Sequence, residues 1–487
     1  MTDQRQLDAV LVAFLAEGMD ELADRVMDAA LDEIGHTEQR RGIGRPRRLP
    51  RLSVSPRMAI AAVVAALVVG GMLILLQPSQ PSVGNPSPTL DGVPNSQDPA
   101  VTRIGPSPST VVIRPSSWSA AGTLGAPRDQ ETATLLPDGT VLIVGGMEAS
   151  STTIGSSLAS AEIYDPASAT STPTGDMTTP RSGHTATLLP DGRVLVVGGY
   201  DDWAALASAE LYDPASGTWT AAGSLAEGRG FHTATLLSDG QVLVAGGRSN
   251  NSSTGHALWS AELYDPSSGS WTTTGDLVKA HTSHSATLLP DGTVLIVGPS
   301  YDGYRLAVDA TAQAYDPDSG SWSIAGKPNT ARGGHTATLL SDATVLVAGG
   351  QEFTPVGCCG ATGDPQVQAE LYHPDDRSWA VTGLMPQPHT WHSASLLPDG
   401  TVLLAGGVNG DPDIGAGTIA SDRARSLASA DRYDPRTRSW SASTAMSQAR
   451  ALHAAVTLPD GRVLVFGGRN KGKTLDSIEI FDPGSGS

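Results

Sequence analysis

Cysteine is almost absent from this 487-residue chain, and aromatic residues make up only 5% of it. The two cysteines, Cys358 and Cys359, are adjacent, so they cannot join distant segments, and a disulfide framework is excluded. Neighbouring Cα atoms lie about 3.8 Å apart, below the usual disulfide range of about 4.4–6.8 Å. The pair is therefore compatible with a strained vicinal disulfide at a loop tip, with two free thiols, or with a soft-metal site.

Positive charge is also scarce, since the chain carries 31 basic and 50 acidic side chains and a formal charge of −19. Residues 1–57 hold nine basic and ten acidic side chains, so nearly all of the acidic excess lies beyond them. An acidic body repels phosphate backbones, and nucleic acid is not expected as a partner.

One uncharged apolar run, at residues 58–76, is long enough to approach the thickness of a membrane. At about 1.5 Å per helical residue it nearly spans a hydrocarbon core of about 30 Å. Seven arginines lie between residues 40 and 57, directly before the run, and uncharged residues follow it, so the positive-inside rule places the N-terminus in the cytoplasm. The 57 preceding residues are too many for a signal peptide, which favours an uncleaved, single-pass cell-membrane anchor.

The flanking segments differ in composition from the rest of the chain. Residues 1–57 contain two amphipathic patterns and predict a short helical cytoplasmic segment. Residues 77–112 are rich in Pro, Ser, Gly and Asn and predict an extended tether. The remaining residues, 113–487, are predicted to form one extracytoplasmic body.

That body consists of seven copies of one motif, with anchor residues 48 to 61 positions apart. A period near 50 residues predicts the blades of a propeller. In each copy Thr-Ala-Thr-Leu-Leu predicts the first strand, Pro-Asp-Gly a turn, and Val-Leu-Val-Val a buried second strand. A Gly-Gly doublet, a variable loop, an Ala-Glu-Leu-Tyr strand and a Trp-bearing strand follow. The anchors are Glu131, His184, His232, His284, His335, His392 and His453.

The pattern resembles the kelch repeat, in which a Gly-Gly doublet is followed by spaced Tyr and Trp residues on a four-stranded blade. Only the fourth copy departs, with Gly298-Pro299 in place of the doublet. The resemblance implies an all-β, seven-bladed propeller. Because the last copy lacks its Trp strand and an extra strand around Trp118 precedes the first, we expect that N-terminal strand to complete blade seven.

A second, mostly basic series stands three residues before each anchor, and we expect it to surround the channel mouth as a ligand-binding rim together with Trp391. Guanidinium groups there would bind a carboxylate, a sulfate or an acidic peptide, and kelch domains that bind acidic peptides use arginines at this rim. The alternative is that each arginine pairs within the blades. The series is Arg128, Arg181, Arg229, His281, Arg332, His389 and Arg450.

The anchor histidines recur at equivalent positions, which favours a repeated hydrogen bond between blades over a metal site. Apart from the repeat itself, the sequence shows no residue spacing that is typical of a catalytic site or of a metal site. The sequence thus favours a non-catalytic, monomeric propeller without cofactor that binds an extracellular protein or glycan, with its asymmetry concentrated in blades four to six.

An enzymatic alternative stays open. The resemblance extends to the propellers of galactose oxidase and glyoxal oxidase, which are copper radical enzymes, and to sialic-acid mutarotases. An extracytoplasmic carbohydrate-active enzyme, either an oxidase or an epimerase, is therefore the second hypothesis. Copper would require His281 and His389 to converge with Tyr301 or Tyr304.

Overall fold

The computed structural model describes the region predicted to be the propeller and omits the segments before it. Residues 1–113, and with them the cytoplasmic segment, the apolar run and the tether, lie outside the described residues, as do Cys358 and Cys359. Within the described residues no helix is long and apolar enough to cross a membrane. The described ranges are 114–150, 153–202, 204–250, 255–302, 305–352, 354–356, 360–362, 364–410 and 425–484.

Seven antiparallel sheets, each with a path of four strands, form the blades. From the channel outward, the strands of the first three blades follow chain order. Blade one has Thr132–Leu135, Val141–Val144, Ala161–Asp165 and Thr170–Pro173. Blade two has Thr185–Leu188, Val194–Val197, Ser208–Asp213 and Thr218–Ser224. Blade three has Thr233–Leu236, Val242–Ala245, Ala261–Asp265 and Ser270–Thr273.

The next three blades repeat this order. Blade four has Ser285–Leu288, Val294–Val297, Gln313–Asp316 and Ser321–Ile324. Blade five has Arg332–Leu339, Val345–Glu352, Gln368–His373 and Ser378–Leu384. Blade six has Ser393–Leu396, Val402–Ala405, Ala430–Asp434 and Ser439–Ala442.

Blade seven is built from both ends of the propeller. Its strands are Ala454–Thr457, Val463–Phe466, Lys473–Asp482 and, outermost, the N-terminal Ser117–Arg128. The outer two pair antiparallel, with Trp118 opposite Phe481 and their rings 5.2 Å apart. The ring of blades is thereby closed, which leaves only short outer edges. The predicted all-β, seven-bladed propeller is confirmed.

Short hairpins follow the second strands on one face of the ring, and we call them the rim hairpins. They occur in blades one, two, four, five and seven of the described chain. Their strands are Met147–Ser150 with Thr153–Ser157, Tyr200–Asp201 with Ala204–Ala205, Pro299–Asp302 with Arg305–Ala310, Thr354–Val356 with Gly360–Thr362, and Arg469–Asn470 with the start of Lys473–Asp482. Ala280–His281 also pairs with the fourth-blade hairpin.

The core lies between adjacent blades. The first four residues of each second strand are buried, because both faces of that strand are covered by neighbouring blades. The doublet makes this close packing possible: a Cβ on Gly198, whose φ is +60°, would lie 2.5 Å from the Arg229 carbonyl oxygen of the next blade. Tyr212 and Trp219 pack across the two outer strands with ring centroids 5.0 Å apart and ring planes tilted by 49°, and the Trp219 Nε1 donates to the Gly175 carbonyl of blade one.

Candidate functional site

The arginines three residues before the anchors lie inside the blades. Their side chains are between 0% and 1% exposed. In blade two, Arg181 Nη1 donates to the carbonyls of Gly198 and Ser208 at 2.9 and 3.0 Å, and Nη2 lies 2.7 Å from a Glu210 carboxylate oxygen. The equivalent ion pairs are Arg128–Glu162, Arg229–Glu262, Arg332–Glu370 and Arg450–Glu479. The structure thus differs from the expected channel-mouth ring, because each guanidinium is taken up by its own blade.

The two histidines of this series occupy the same buried place. His389 Nδ1 lies 2.6 Å from the Gly406 carbonyl oxygen, and Nε2 lies 2.9 Å from Asp431 Oδ2. Both ring nitrogens therefore face acceptor oxygens of the same blade. In blade four the residue equivalent to Asp431 is the neutral Gln313, and its side-chain amide bonds to the Lys279 backbone.

The basic residue three positions before the anchor and its partner on the third strand therefore change together from blade to blade. Arginine stands with glutamate five times, histidine with aspartate once, and histidine with glutamine once. The acidic partner sits on the third strand, next to the alanine of the Ala-Glu-Leu-Tyr motif. This covariation within one chain was the signal from which the pairing could have been predicted.

The anchor histidines connect neighbouring blades, as their repetition predicted. Each Nε2 lies 2.9–3.1 Å from the hydroxyl of the residue that directly follows the anchor of the preceding blade. The pairs are Thr132–His184, Thr185–His232, Thr233–His284, Ser285–His335, Thr336–His392 and Ser393–His453.

Burial determines the protonation state of the anchor imidazoles. Desolvation lowers the pKa of His184, His284, His335 and His453 to about 3, and holds that of His232 and His392 well below the usual value. The six imidazoles are consequently neutral at pH 7.

The seventh junction, where blade seven meets blade one, uses different chemistry. Glu131 replaces the histidine, and Ala454 stands where the other blades have a hydroxyl residue. One Glu131 oxygen accepts the Ala454 backbone N–H at 3.4 Å, and the other has no partner within the described chain. Desolvation raises the pKa of Glu131 to about 8. This carboxyl is thus mostly protonated at pH 7.

We predict that Glu131→Gln stabilises the propeller at alkaline pH. The unfolded carboxyl ionises above pH 4.5 whereas the folded one resists until about pH 8, so wild-type stability falls across that interval. Glutamine keeps the shape and the acceptor but cannot ionise, which gives a gain of up to about 4 kcal/mol at pH 8 and little change at pH 4.5. Denaturant unfolding at both pH values measures the difference. The exposed Glu148→Gln is the control, and equal effects of the two variants would contradict the prediction.

The residues immediately before the anchors line the channel, and we call them the channel ring. All seven have a left-handed backbone, with φ between +51° and +65°. Six of them donate their backbone N–H to the carbonyl of the preceding member at 2.8–3.2 Å, so a belt of hydrogen bonds runs around the channel. The channel ring is Gln130, Gly183, Phe231, Ser283, Gly334, Trp391 and Leu452.

A cavity of about 300 Å³ opens at this level and is lined by the channel ring and the anchors. Trp391 is the member of the predicted rim set that reaches it. Phe231, from the opposite side of the channel, lies 6.4 Å from Trp391 between ring centroids, and Tyr200 packs behind Phe231 at 5.6 Å. Sequence inspection missed Phe231 because the position before the anchor varies and has no repeating side chain.

The two histidines considered for a copper site are not brought together in the described part of the chain. In the described ranges no group of three or more His, Cys, Asp or Glu side chains is arranged to hold a metal ion. His281 and His389 are each enclosed in their own blade, two blades apart. Tyr304 and the side chain of Tyr301 lie outside the described part of the chain.

Comparisons with known proteins agree with the repeat pattern. A model of the KLHDC2/KLHL20/DRC7 Kelch-repeats domain matches residues 130–350, and a Kelch motif model matches residues 450–487. Beta-scruin of Limulus polyphemus is 31% identical over 23% of this chain and 12% of its own length. Kelch-like protein 23 of Homo sapiens is 26% identical over 48% of this chain and 37% of its own. The chain thus matches less than two fifths of either relative's length.

A solved fungal alcohol oxidase of the AA5 family, in complex with copper, superimposes with a TM-score of 0.58. The match covers 76% of this chain and 77% of that one at 17% identity, so it shows a shared fold alone. Together the repeats and the blades define a seven-bladed kelch-repeat propeller. Propellers of this class are generally protein-interaction modules.

Proposed function

We propose that this protein is a membrane-tethered, extracytoplasmic kelch propeller that binds a protein partner, without catalysis, on the face of the rim hairpins. The observation that carries the proposal is that the recurring Arg, His, Tyr and Trp residues serve blade packing. What varies from blade to blade is the rim hairpins and the channel ring. A constant scaffold with variable loops on one face is the usual layout of a binding surface.

The two faces of the ring differ in the way this function requires. On the far face the turns between the first and second strands are closed by their own side chains, as where Asp138 Oδ1 accepts the Thr140 backbone N–H at 2.9 Å. On the rim face neighbouring hairpins interlock: Ser157 N–H donates to Asp202 at 2.9 Å, and Ala149 N–H donates to Thr474 at 3.2 Å. Blades seven, one and two therefore share one continuous surface.

The tether is supported by the sequence alone, through the apolar run at residues 58–76 and the arginines before it. The tether is tested by measuring the membrane topology of the chain in intact cells. A reporter fused after residue 484 is expected to be active only outside the cytoplasm, and one fused after residue 57 only inside. The reverse pattern, or recovery of the full chain in the soluble fraction, would refute the anchor.

Binding on the rim face is tested with a photo-crosslinking residue placed at one of two exposed positions. Glu148 lies in the rim hairpin of blade one, and Asp138 lies in the turn on the opposite face. We expect the full chain in its native membrane to crosslink a discrete protein from position 148 and not from position 138. Equal capture from both positions, or from neither, would reject the proposed face.

A further inference from the structure

We propose that the channel mouth receives an uncharged, apolar side chain of the protein partner, on a platform formed by Phe231, Trp391 and Leu452. This inference rests on the proposed function and specifies the chemistry of the partner. It replaces the acidic peptide that the arginine series suggested.

The first argument is the cost of placing these side chains. Every channel-ring position has a positive φ, which glycine adopts freely and bulky residues adopt at a cost of about 1–3 kcal/mol. Gly183 and Gly334 show that glycine fits the ring. Phe231, Trp391 and Leu452 have φ values of +52°, +58° and +56° at such positions. Backbone strain of this kind is held by the surrounding structure, here the belt of hydrogen bonds, and such strain clusters at binding sites.

The second argument is where the side chains lie. Phe231 covers Gly183, so a Cβ on that glycine would lie 3.2 Å from the phenyl ring. Trp391 covers Gly334 in the same way, and a Cβ there would lie 2.9 Å from the indole. Both aromatic side chains remain partly exposed, as does Leu452, and all three line the cavity. The two aromatic rings meet across the channel and present one apolar surface.

The third argument is charge. The five arginines of the series are buried and paired with glutamates, so they offer no cation to a ligand. The anchor histidines on the cavity wall are neutral, and the Glu131 carboxyl is mostly protonated at pH 7. A charged group entering this cavity would lose its hydration without gaining a counter-ion, which makes its entry unfavourable. The wall therefore selects an uncharged side chain.

The test compares Phe231→Gly and Trp391→Gly in the detergent-solubilised full chain. A random 12-residue peptide display library is panned on the wild-type protein, and the enriched peptides are synthesised and titrated. We expect enrichment of peptides with an uncharged Trp, Phe, Leu or Met, and binding at least about 10-fold weaker in each glycine variant. Leu384→Ala is the control, because Leu384 is 64% exposed on the outer strand of blade five and should not affect binding.

Stability distinguishes binding from packing. Glycine relieves the left-handed strain but removes the packing of Phe231 on Tyr200 and Trp391, and because these two effects oppose each other the unfolding midpoint is expected to change little while the peptide affinity is lost. Enrichment of acidic peptides, unchanged affinity in both variants, or a drop in stability that accounts for the loss would overturn the inference. If the partner captured from position 148 binds the glycine variants normally, this inference fails and the proposed function stands.

Discussion

Lowering the pH from 7 to 5 is expected to unfold the propeller cooperatively. Four anchor histidines have a pKa near 3 in the folded state, because burial disfavours the imidazolium, and an ordinary value of 6.5 when unfolded. The unfolded chain therefore binds more protons below pH 6.5, and stability is lost as the pH falls from 6.5 toward 3. At pH 5 the loss is about 2 kcal/mol for each histidine, or about 8 kcal/mol for four, and the Glu131 carboxyl, whose raised pKa acts in the opposite direction, offsets about 2–3 kcal/mol of it. That total is comparable with the whole stability of a typical domain, about 5–15 kcal/mol.

Circular dichroism during acid titration measures this transition, and single replacements assign it. His335→Gln keeps a polar group beside Ser285 but cannot bind the proton, so its acid midpoint should move to lower pH. His373→Gln, at a partly exposed strand end, is the matched control and should leave the midpoint in place. A propeller that keeps its native signal down to pH 4 would contradict the prediction.

The sevenfold repetition of the motif explains why the fold could be predicted from the sequence. Strand patterns, doublets and anchors recur along the chain, so each copy checks the others, and the missing Trp strand of the last copy fixes how the ring closes. The interblade role of the histidines followed from that recurrence. The hydroxyl partner, one residue after the preceding anchor, also recurs and was available in the same pattern.

The candidate site was harder to predict from the sequence, because it depends on the direction in which each side chain points. A spacing of three residues before an anchor does not say whether Arg181 points into the channel or back into its blade. Its partner Glu210 is 29 residues away on another strand, and the pairing is visible only by comparing blades. The channel ring was hidden for the opposite reason: what recurs there is a backbone conformation, carried by residues as different as Gly334 and Trp391.

The buried ion pairs give the second large prediction, which concerns Arg181 and Glu210. Arg181→Met should destabilise the propeller by about 3–5 kcal/mol, because it leaves Glu210 as a buried, unpaired charge and removes donors from two carbonyls. The double variant Arg181→His with Glu210→Asp transfers the blade-six pair His389–Asp431 into blade two. We expect it to recover at least half of the loss, whereas Arg181→His alone should recover less.

Denaturant unfolding of the wild type and these variants measures the differences. Arg193→Met is the matched control, because Arg193 and Asp191 form an ion pair at 2.7 Å that is 35% and 46% exposed. Solvent screening limits such a pair to about 0–1 kcal/mol. If Arg181→Met were as mild as Arg193→Met, the arginine would not be holding the blade together, and its burial would not explain why it recurs. If the double variant were no better than Arg181→His alone, the covariation of base and acid between blades would have no energetic basis.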